Sequence, residues 1–268
     1  MNFLESITGR KKVEVEEAKK KLSFSALKEI VRDVRPENDF KKAITRKNGG
    51  PVKVVAEFKR ASPSKGVIAE NVDPVGLAKD YKSGGASAIS ILTEKNFFKG
   101  SALDLRNVRD AVPDVPILRK DFIVDEYQIY ESIQIGADAI LLIVAALDES
   151  ELKNFASVAK GLGLNSLVEV HCEEELDIAL SVGAEIIGVN NRDLVTFEVS
   201  TGISERLSKN IPTGIVSVSE SGIGDISGLR GALETGYHAV LIGEHFMRAK
   251  DRVTELKKFT SFRSGHSA

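Results

Sequence analysis

A chain of 268 residues carrying 37 Lys and Arg against 39 Asp and Glu has a net charge of −2. That balance argues against a nucleic-acid partner, which selects for a basic excess or stripe, but it allows a local cluster of cations around a small anion. The single Cys172 excludes an intramolecular disulfide and a Cys-based zinc cluster. No apolar run reaches the roughly 18 residues of a membrane span, and Met1-Asn2-Phe3-Leu4 leads into charged residues instead of an apolar signal core, so a cytoplasmic protein is expected.

Residues 1–50 read as a helical extension. Lys11 to Lys21 is a charged helical stretch, and Phe24, Leu27, Ile30 and Val31 recur at helical spacing. Pro36 and Asn48-Gly49-Gly50-Pro51 mark turns. The stretch lacks the apolar residues for a core of its own and must pack on the remainder, residues 51–268, read as one domain. There strands are expected at 52–58, 86–92, 115–119, 138–144, 166–170, 185–190, 214–219 and 238–242. Helices fall between them at 73–83, 102–111, 125–135, 148–161, 173–181, 199–208, 225–235 and 251–262. Asp73-Pro74 is a helix start, and Asp148 with Glu151 has the spacing of a capping box.

Eight βα units of this size predict an α/β protein, a closed (β/α)8 TIM barrel with an N-terminal helical extension. An internal repeat supports it: Gly85-Ala86, Gly136-Ala137, Gly183-Ala184 and Gly236-Tyr237 recur about every two βα units. Each Gly ends a helix and leads into an even-numbered strand. A doubly wound open sheet would instead show a glycine-rich turn after its first strand, and Arg60-Ala61-Ser62-Pro63-Ser64 is not one.

In such a barrel chemistry sits where strands end and the following loops begin. Strand 1 ends in Glu57 and Lys59, which share parity and point the same way. The other ends carry Thr93-Glu94, Lys120-Asp121-Phe122, Glu169, Asn190-Asn191-Arg192, Ser219-Glu220-Ser221-Gly222 and Gly243-Glu244. Burying charge is costly, so lysines and glutamates converging on one mouth read as an acid–base set, against the alternative of a structural ion-pair network. Burial is expected to lower the pKa of a lysine there and make its ammonium a ready donor. Gly222 and Gly243 stand where backbone N–H groups can approach a phosphate, with the Ser62 and Ser221 hydroxyls as further donors. Phe97, Phe98 and Phe122 suggest an apolar slot for a flat ring. His171, His238, His245 and His266 lack ligand-like spacing, so no metal site is expected. Cys172 follows His171 directly, and neighbours on a strand face opposite ways, so they form no catalytic dyad.

These strand ends closely resemble the indole-3-glycerol-phosphate synthases. The resemblance is carried by Ala56-Glu57-Phe58-Lys59-Arg60-Ala61-Ser62-Pro63-Ser64, Ile89 to Glu94, Phe97 to Ser101, Arg119-Lys120-Asp121-Phe122-Ile123, Leu167 to His171, Gly188 to Leu194 and Glu220-Ser221-Gly222-Ile223. It covers essentially the whole chain. It implies a reaction on 1-(2-carboxyphenylamino)-1-deoxyribulose 5-phosphate that releases carbon dioxide and water without a cofactor. Lys120 then resembles the general acid of ring closure, Glu169 the general base of dehydration, and Lys59 the residue that holds the substrate carboxylate and donates a proton in the second step. Glu57, Asn190 and Glu220 resemble supporting polar groups, and Arg192 a binding residue near the carboxylate. Ser62, Ser221, Gly222, Gly243 and Glu244 fall where the family binds phosphate, and the extension is expected across the catalytic mouth.

Four residues at three sites depart from the family pattern: Arg119 for an apolar residue, Ser219 for Ala, and His245-Phe246 for Ser-Leu. Arg119 is expected on the strand face opposite Lys120. The expected partner is a phosphorylated small molecule, with no nucleic acid and no membrane, and the expected state is a monomer with a weak homodimer as the alternative. The rival readings are a phosphoribosylanthranilate isomerase-like barrel, which would want a Cys where Glu57 and Lys59 stand, a Schiff-base aldolase using Lys120 as nucleophile, and a non-enzymatic barrel that only binds a phosphorylated metabolite or serves as a scaffold subunit.

Overall fold

Eight parallel strands close on themselves in the computed structural model, which describes residues 3–47, 49–69 and 71–263. Asn48 of the expected turn and His266 lie outside the described residues. The strands are β1 (Lys53–Phe58), β2 (Ala88–Leu92), β3 (Ile117–Lys120), β4 (Ala139–Ile143), β5 (Asn165–Val170), β6 (Ile186–Asn190), β7 (Val216–Glu220) and β8 (Ala239–Ile242). Closure is made by β1, which pairs Lys53 with Ala239 of β8 and Val55 with Ala88 of β2. Every expected strand is present, shifted by no more than two residues at either end.

The helices agree as closely except for the one expected at 199–208, which starts three residues later, at Gly202. Before β1 come α1 (Phe3–Lys21), α2 (Phe24–Ile30) and α3 (Phe40–Ile44). The barrel helices are α4 (Pro74–Ser83), α5 (Ala102–Ala111), α6 (Glu126–Gln134), α7 (Glu149–Gly161), α8 (Glu173–Ser181), α9 (Gly202–Ser208), α10 (Ile226–Glu234), a short α11 (Glu244–Arg248) and α12 (Arg252–Ser261). Asp73 caps α4, and Asp148 with Glu151 forms the capping box of α7. The repeat glycines all take positive φ, from 78° to 87°, as helix-ending residues do.

Strand parity sorts the barrel into two cores. Outward residues such as Val54, Ile89, Ile140 and Val168 pack beneath the helices. Inward residues fill the interior, and along each strand they change from apolar to charged: Val55 then Glu57, Leu118 then Lys120, Leu167 then Glu169, Val218 then Glu220. Inside the barrel, buried charge therefore accumulates at the C-terminal ends of the strands, while the buried Arg109–Asp138 pair at the other end lies just before β4.

The extension divides between the two ends. Phe40 and Ile44 of α3 are fully buried in the interior cluster with Val55, Ala88 and Ala139, plugging the bottom. The backbone there is tied down: Asn38 N–H donates to Asp138 Oδ1 at 2.9 Å and Lys41 N–H to Asn165 Oδ1 at 3.0 Å, just before and at the starts of β4 and β5. By contrast α1 and α2 lie against α6 and the loop before it. Lys11 pairs with Asp121 (3.0 Å), Lys19 with Asp125 (2.7 Å) and Lys28 with Glu126 (3.2 Å). Among the described residues of the extension, α1 reaches the mouth through Phe3, whereas α3 lies at the opposite end. Among the described residues no helix is long and apolar enough to cross a membrane.

Candidate active site

The charged strand ends meet in a cavity of about 520 Å³ at the C-terminal mouth. On β1 the inward parity that buries Val55 brings Glu57 to the rim of the interior, and Lys59 follows it. Lys59 Nζ donates to Glu57 Oε1 at 2.7 Å. Facing them, Lys120 of β3 stands between two carboxylates from other strands, 2.8 Å from Glu169 Oε2 and 3.0 Å from Glu220 Oε2. Asn190, at the end of β6, accepts through Oδ1 from Ser221 Oγ at 2.8 Å and from the Arg192 N–H at 3.1 Å. Arg192 Nη1 donates to Phe197 O at 2.9 Å and to Ser64 Oγ at 3.2 Å, joining the loop after β6 to the loop after β1.

The electrostatics correct one expectation. Burial does work against the Lys120 ammonium, but Glu169, Glu220 and Glu57 outweigh it and hold the pKa above the ordinary lysine value, not below it. Burial likewise opposes ionisation of Glu169, yet Lys120 and His171 hold that carboxyl well below the usual range. Glu220 goes the other way. Its burial and the neighbouring Glu169 and Glu57 charges overcome Lys120 and push it up to about 7. One carboxylate stays ionised while its neighbour retains a proton near neutral pH, the separation that acid–base chemistry requires.

The opposite wall of the cavity is backbone. Ser221 and Gly222 take φ of 64° and 80°, a left-handed turn whose residues line the cavity. A Cβ on Gly222 would lie 2.7 Å from Val199 Cγ1, and one on Gly243 would lie 2.6 Å from Glu57 Oε1, so a side chain at either position must displace its neighbour. Gly243 opens α11 with no side chain capping it, leaving the first amides of that helix available. Ser62 lines the same wall from a two-residue hairpin, Ala61–Ser62 against Gly66–Val67, and Glu244 lines it from α11.

Between these walls lies an apolar slot. Phe98 and Phe122 border it with ring centroids 6.3 Å apart. Phe97 does not line the cavity; it stands behind Phe3, edge to face at 5.2 Å. Phe3 itself comes from α1 and meets Phe197 at 5.0 Å, and both rings line the slot. Glu94 is also turned away from chemistry, its buried carboxylate accepting from the N–H groups of Asn96, Phe97 and Phe98 to shape that loop.

A family model for indole-3-glycerol phosphate synthase matches residues 4–259. The chain belongs to the indole-3-glycerol phosphate synthase family. It is similar to the indole-3-glycerol phosphate synthase of Acetivibrio thermocellus, at 48% identity over 96% of this chain and 98% of that relative. The same figures describe its similarity to the enzyme of that name from Caldanaerobacter subterraneus subsp. tengcongensis. Among solved structures, 3-hexulose-6-phosphate synthase from Salmonella typhimurium (TM-score 0.60, 13% identity, 78% of this chain and 97% of that one) shares the fold. So does thiamine phosphate pyrophosphorylase from Pyrococcus furiosus (TM-score 0.59, 17% identity, 82% and 96%).

The three departures from the synthase pattern each have a local explanation. Arg119 points outward, opposite Lys120, into a saturated site made by Thr93 Oγ1, Gln128 O, Ser132 Oγ, Asp121 and Glu131. Ser219 Oγ meets Ser204 Oγ at 2.8 Å and accepts from Asn191 Nδ2 at 3.2 Å, tying β7 to α9. His245 packs tilted and Phe246 edge to face against Phe259, at 5.0 and 5.2 Å, seating α11 on α12.

Reading the strand ends in isolation misses Phe3, Phe197 and Arg248, which also line the cavity. Arg248 lies four residues after Glu244 and pairs with it at 3.0 Å, a helical spacing that was available to find it. Phe3 and Phe197 sit outside any strand end and carry no such signal.

Proposed function

We propose that this mouth converts 1-(2-carboxyphenylamino)-1-deoxyribulose 5-phosphate to indole-3-glycerol phosphate, a carboxy-lyase step of tryptophan biosynthesis. The observation that carries the reading is Lys120, a buried ammonium held by Glu169 and Glu220 beside an apolar slot and across from a backbone anion cradle. The phosphate would sit on the N–H groups around Gly222 and Gly243, with Ser62 and Ser221 adding hydroxyl donors, and the aromatic ring between Phe98 and Phe122. Lys59 and Arg192 would take the carboxylate.

Lys120 then protonates the ketone oxygen as the ring carbon attacks, and carbon dioxide leaves with its bonding pair returned to the ring. Giving up that proton removes the cation that keeps Glu169 a weak base, so Glu169 gains basicity when dehydration needs it. Glu169 takes a proton from the new ring as the hydroxyl leaves, protonated by Lys59, as water. Across the 2.8 Å contact Glu169 returns its proton to Lys120. Lys59 recovers one from solvent, matching the single proton that loss of a carboxylate as carbon dioxide consumes. No cofactor enters these steps, and a cytoplasmic monomer with a small phosphorylated substrate suits them.

The test is direct. The chain contains no Trp, so indole emission on adding substrate to purified protein reports product formation alone. Absence of that emission at saturating substrate would overturn the reading, and borohydride trapping of a carbonyl on Lys120 would replace it with Schiff-base chemistry.

A further inference from the structure

Glu169 and Glu220 meet Lys120 at nearly the same distance, 2.8 and 3.0 Å, and both are buried. Their second oxygens differ. Glu220 Oε1 is buried with no hydrogen-bond partner among the described residues. Glu169 Oε1 faces His171 Nε2 at 3.5 Å, an ion-pair distance that is long for a hydrogen bond. That Nε2 is buried and makes no hydrogen bond elsewhere among the described residues, so Glu169 is its natural partner. From behind, Glu175 in the first turn of α8 accepts from the His171 backbone N–H at 2.7 Å and lies 3.0 Å from Nδ1. One carboxylate oxygen thus pins both backbone and ring and leaves Nε2 a single direction.

Building on the assignment of Glu169 as the base, we propose that His171, clamped by Glu175, is a positioning residue: it keeps Glu169 the ionised member of the Lys120 carboxylate pair and leaves the shared proton to Glu220. Two buried carboxylates around one ammonium repel each other, so the cluster retains a proton. Lys120 favours both alike, and the tie is broken by the second cation. The charged groups around it agree. His171, in the turn just after β5, is faced by Glu169 on that strand, Glu175 on α8 and, at longer range, Asp193 after β6. Beyond Glu169 stand Lys120 on β3, Glu220 on β7 and Glu57 on β1. Burial alone would lower the His171 pKa, but Glu169 and Glu175 push it up to about 10, so the ring is an imidazolium through neutral pH.

Two measurements on the full chain test this. In protein labelled with ¹⁵N-histidine, the His171 ring, assigned by its loss in His171→Gln, is expected to be doubly protonated at pH 8 in wild type. It should titrate at least about one unit lower in Glu175→Gln or Glu169→Gln. A neutral ring at pH 8 overturns the proposal whatever the activity. In the pH profile of kcat, His171→Gln keeps a donor but no charge. Its acid limb is expected to move up by about one unit, so that turnover falls roughly tenfold near the foot of the limb and stays within about threefold at high pH. Glu175→Gln should move the limb the same way by less. A limb at the wild-type pH in His171→Gln, or a uniform loss at every pH, shows a packing role and overturns the proposal. Wild-type turnover in Glu169→Gln removes the base assignment itself, and the NMR result tells the two failures apart.

Discussion

The two ends of the barrel are built from the same alternation of inward residues and opposite solutions to burial. At the bottom, Phe40 and Ile44 close the interior with apolar surface, and the polar groups there are bonded: Asp138 accepts from the Asn38 and Ile117 N–H groups, and Asn165 from the Lys41 N–H. At the mouth the interior holds Glu57, Lys59, Lys120, Glu169 and Glu220, with Glu220 Oε1 and Ser90 Oγ lacking hydrogen bonds among the described residues. One end contributes stability, and the other holds charges poised against each other at its expense. Neighbours on β3 make the same contrast at a distance of one residue. Arg119 sits in a fully bonded site beneath the helices, while Lys120 faces a cavity.

The hardest test of that contrast lies at the mouth. Lys120→Ala is expected to lower kcat by roughly a thousandfold or more, with KM within about tenfold, because what is lost is proton donation in the transition state. Near-wild-type turnover would remove Lys120 from the chemistry. Its counterpart at the bottom is Phe40→Ala, expected to cost about 3–5 kcal/mol in urea unfolding while kcat/KM at low temperature stays within about twofold. A kinetic loss matching the stability loss would show that the two ends are coupled.

The anion wall offers a binding test. Gly222→Val must push into Val199 and hold a positive φ, so KM should rise at least about tenfold with a smaller change in kcat. Inorganic phosphate should compete with substrate in the wild type at tens of millimolar, roughly the range of a weakly bound fragment. Failure to compete would move the phosphate site elsewhere.

Removing residues 1–21 separates the two roles of the extension, because it deletes α1 with Phe3 and Lys11 and leaves the α3 plug. Substrate affinity should fall about tenfold, about 1.4 kcal/mol, with barrel circular dichroism retained. Affinity equal to that of the full chain would make α1 purely structural.

The smallest expected effect is on stability and follows from Glu220. Its folded pKa, pushed up to about 7, lies above the unfolded value, so wild-type stability from this group is fully present at low pH and is lost as pH rises toward and through 7. Glu220→Gln escapes that loss. It should melt with wild type near pH 4 and above wild type at pH 8, by a few degrees, while losing activity. Equal melting at pH 8 would mean that Glu220 is not held under strain.

Much of this was legible in the chain itself. Short apolar runs, the Asp73 and Asp148 helix starts and the repeat glycines specify eight strands within two residues and their helices within three, because each is a local backbone preference. Parity alone placed Glu57 with Lys59 on one side and Arg119 opposite Lys120. The direction of the Lys120 pKa was not legible, since it depends on carboxylates 49 and 100 positions away in the chain. Nor was the lining by Phe3 and Phe197, or the division of the extension between plug and mouth.

The difference has one physical origin. Alternation, capping and turn chemistry act between residues a few positions apart, so the sequence by itself determined the barrel, its polarity and which side chains share its mouth. Distance between side chains from different strands exists only after closure. Which of two equivalent glutamates keeps its proton, whether a lysine is pushed up or down, and whether a half-buried histidine finds a carboxylate were therefore decided by the tertiary structure, where Coulomb interactions in a poorly solvated interior outweigh every local preference.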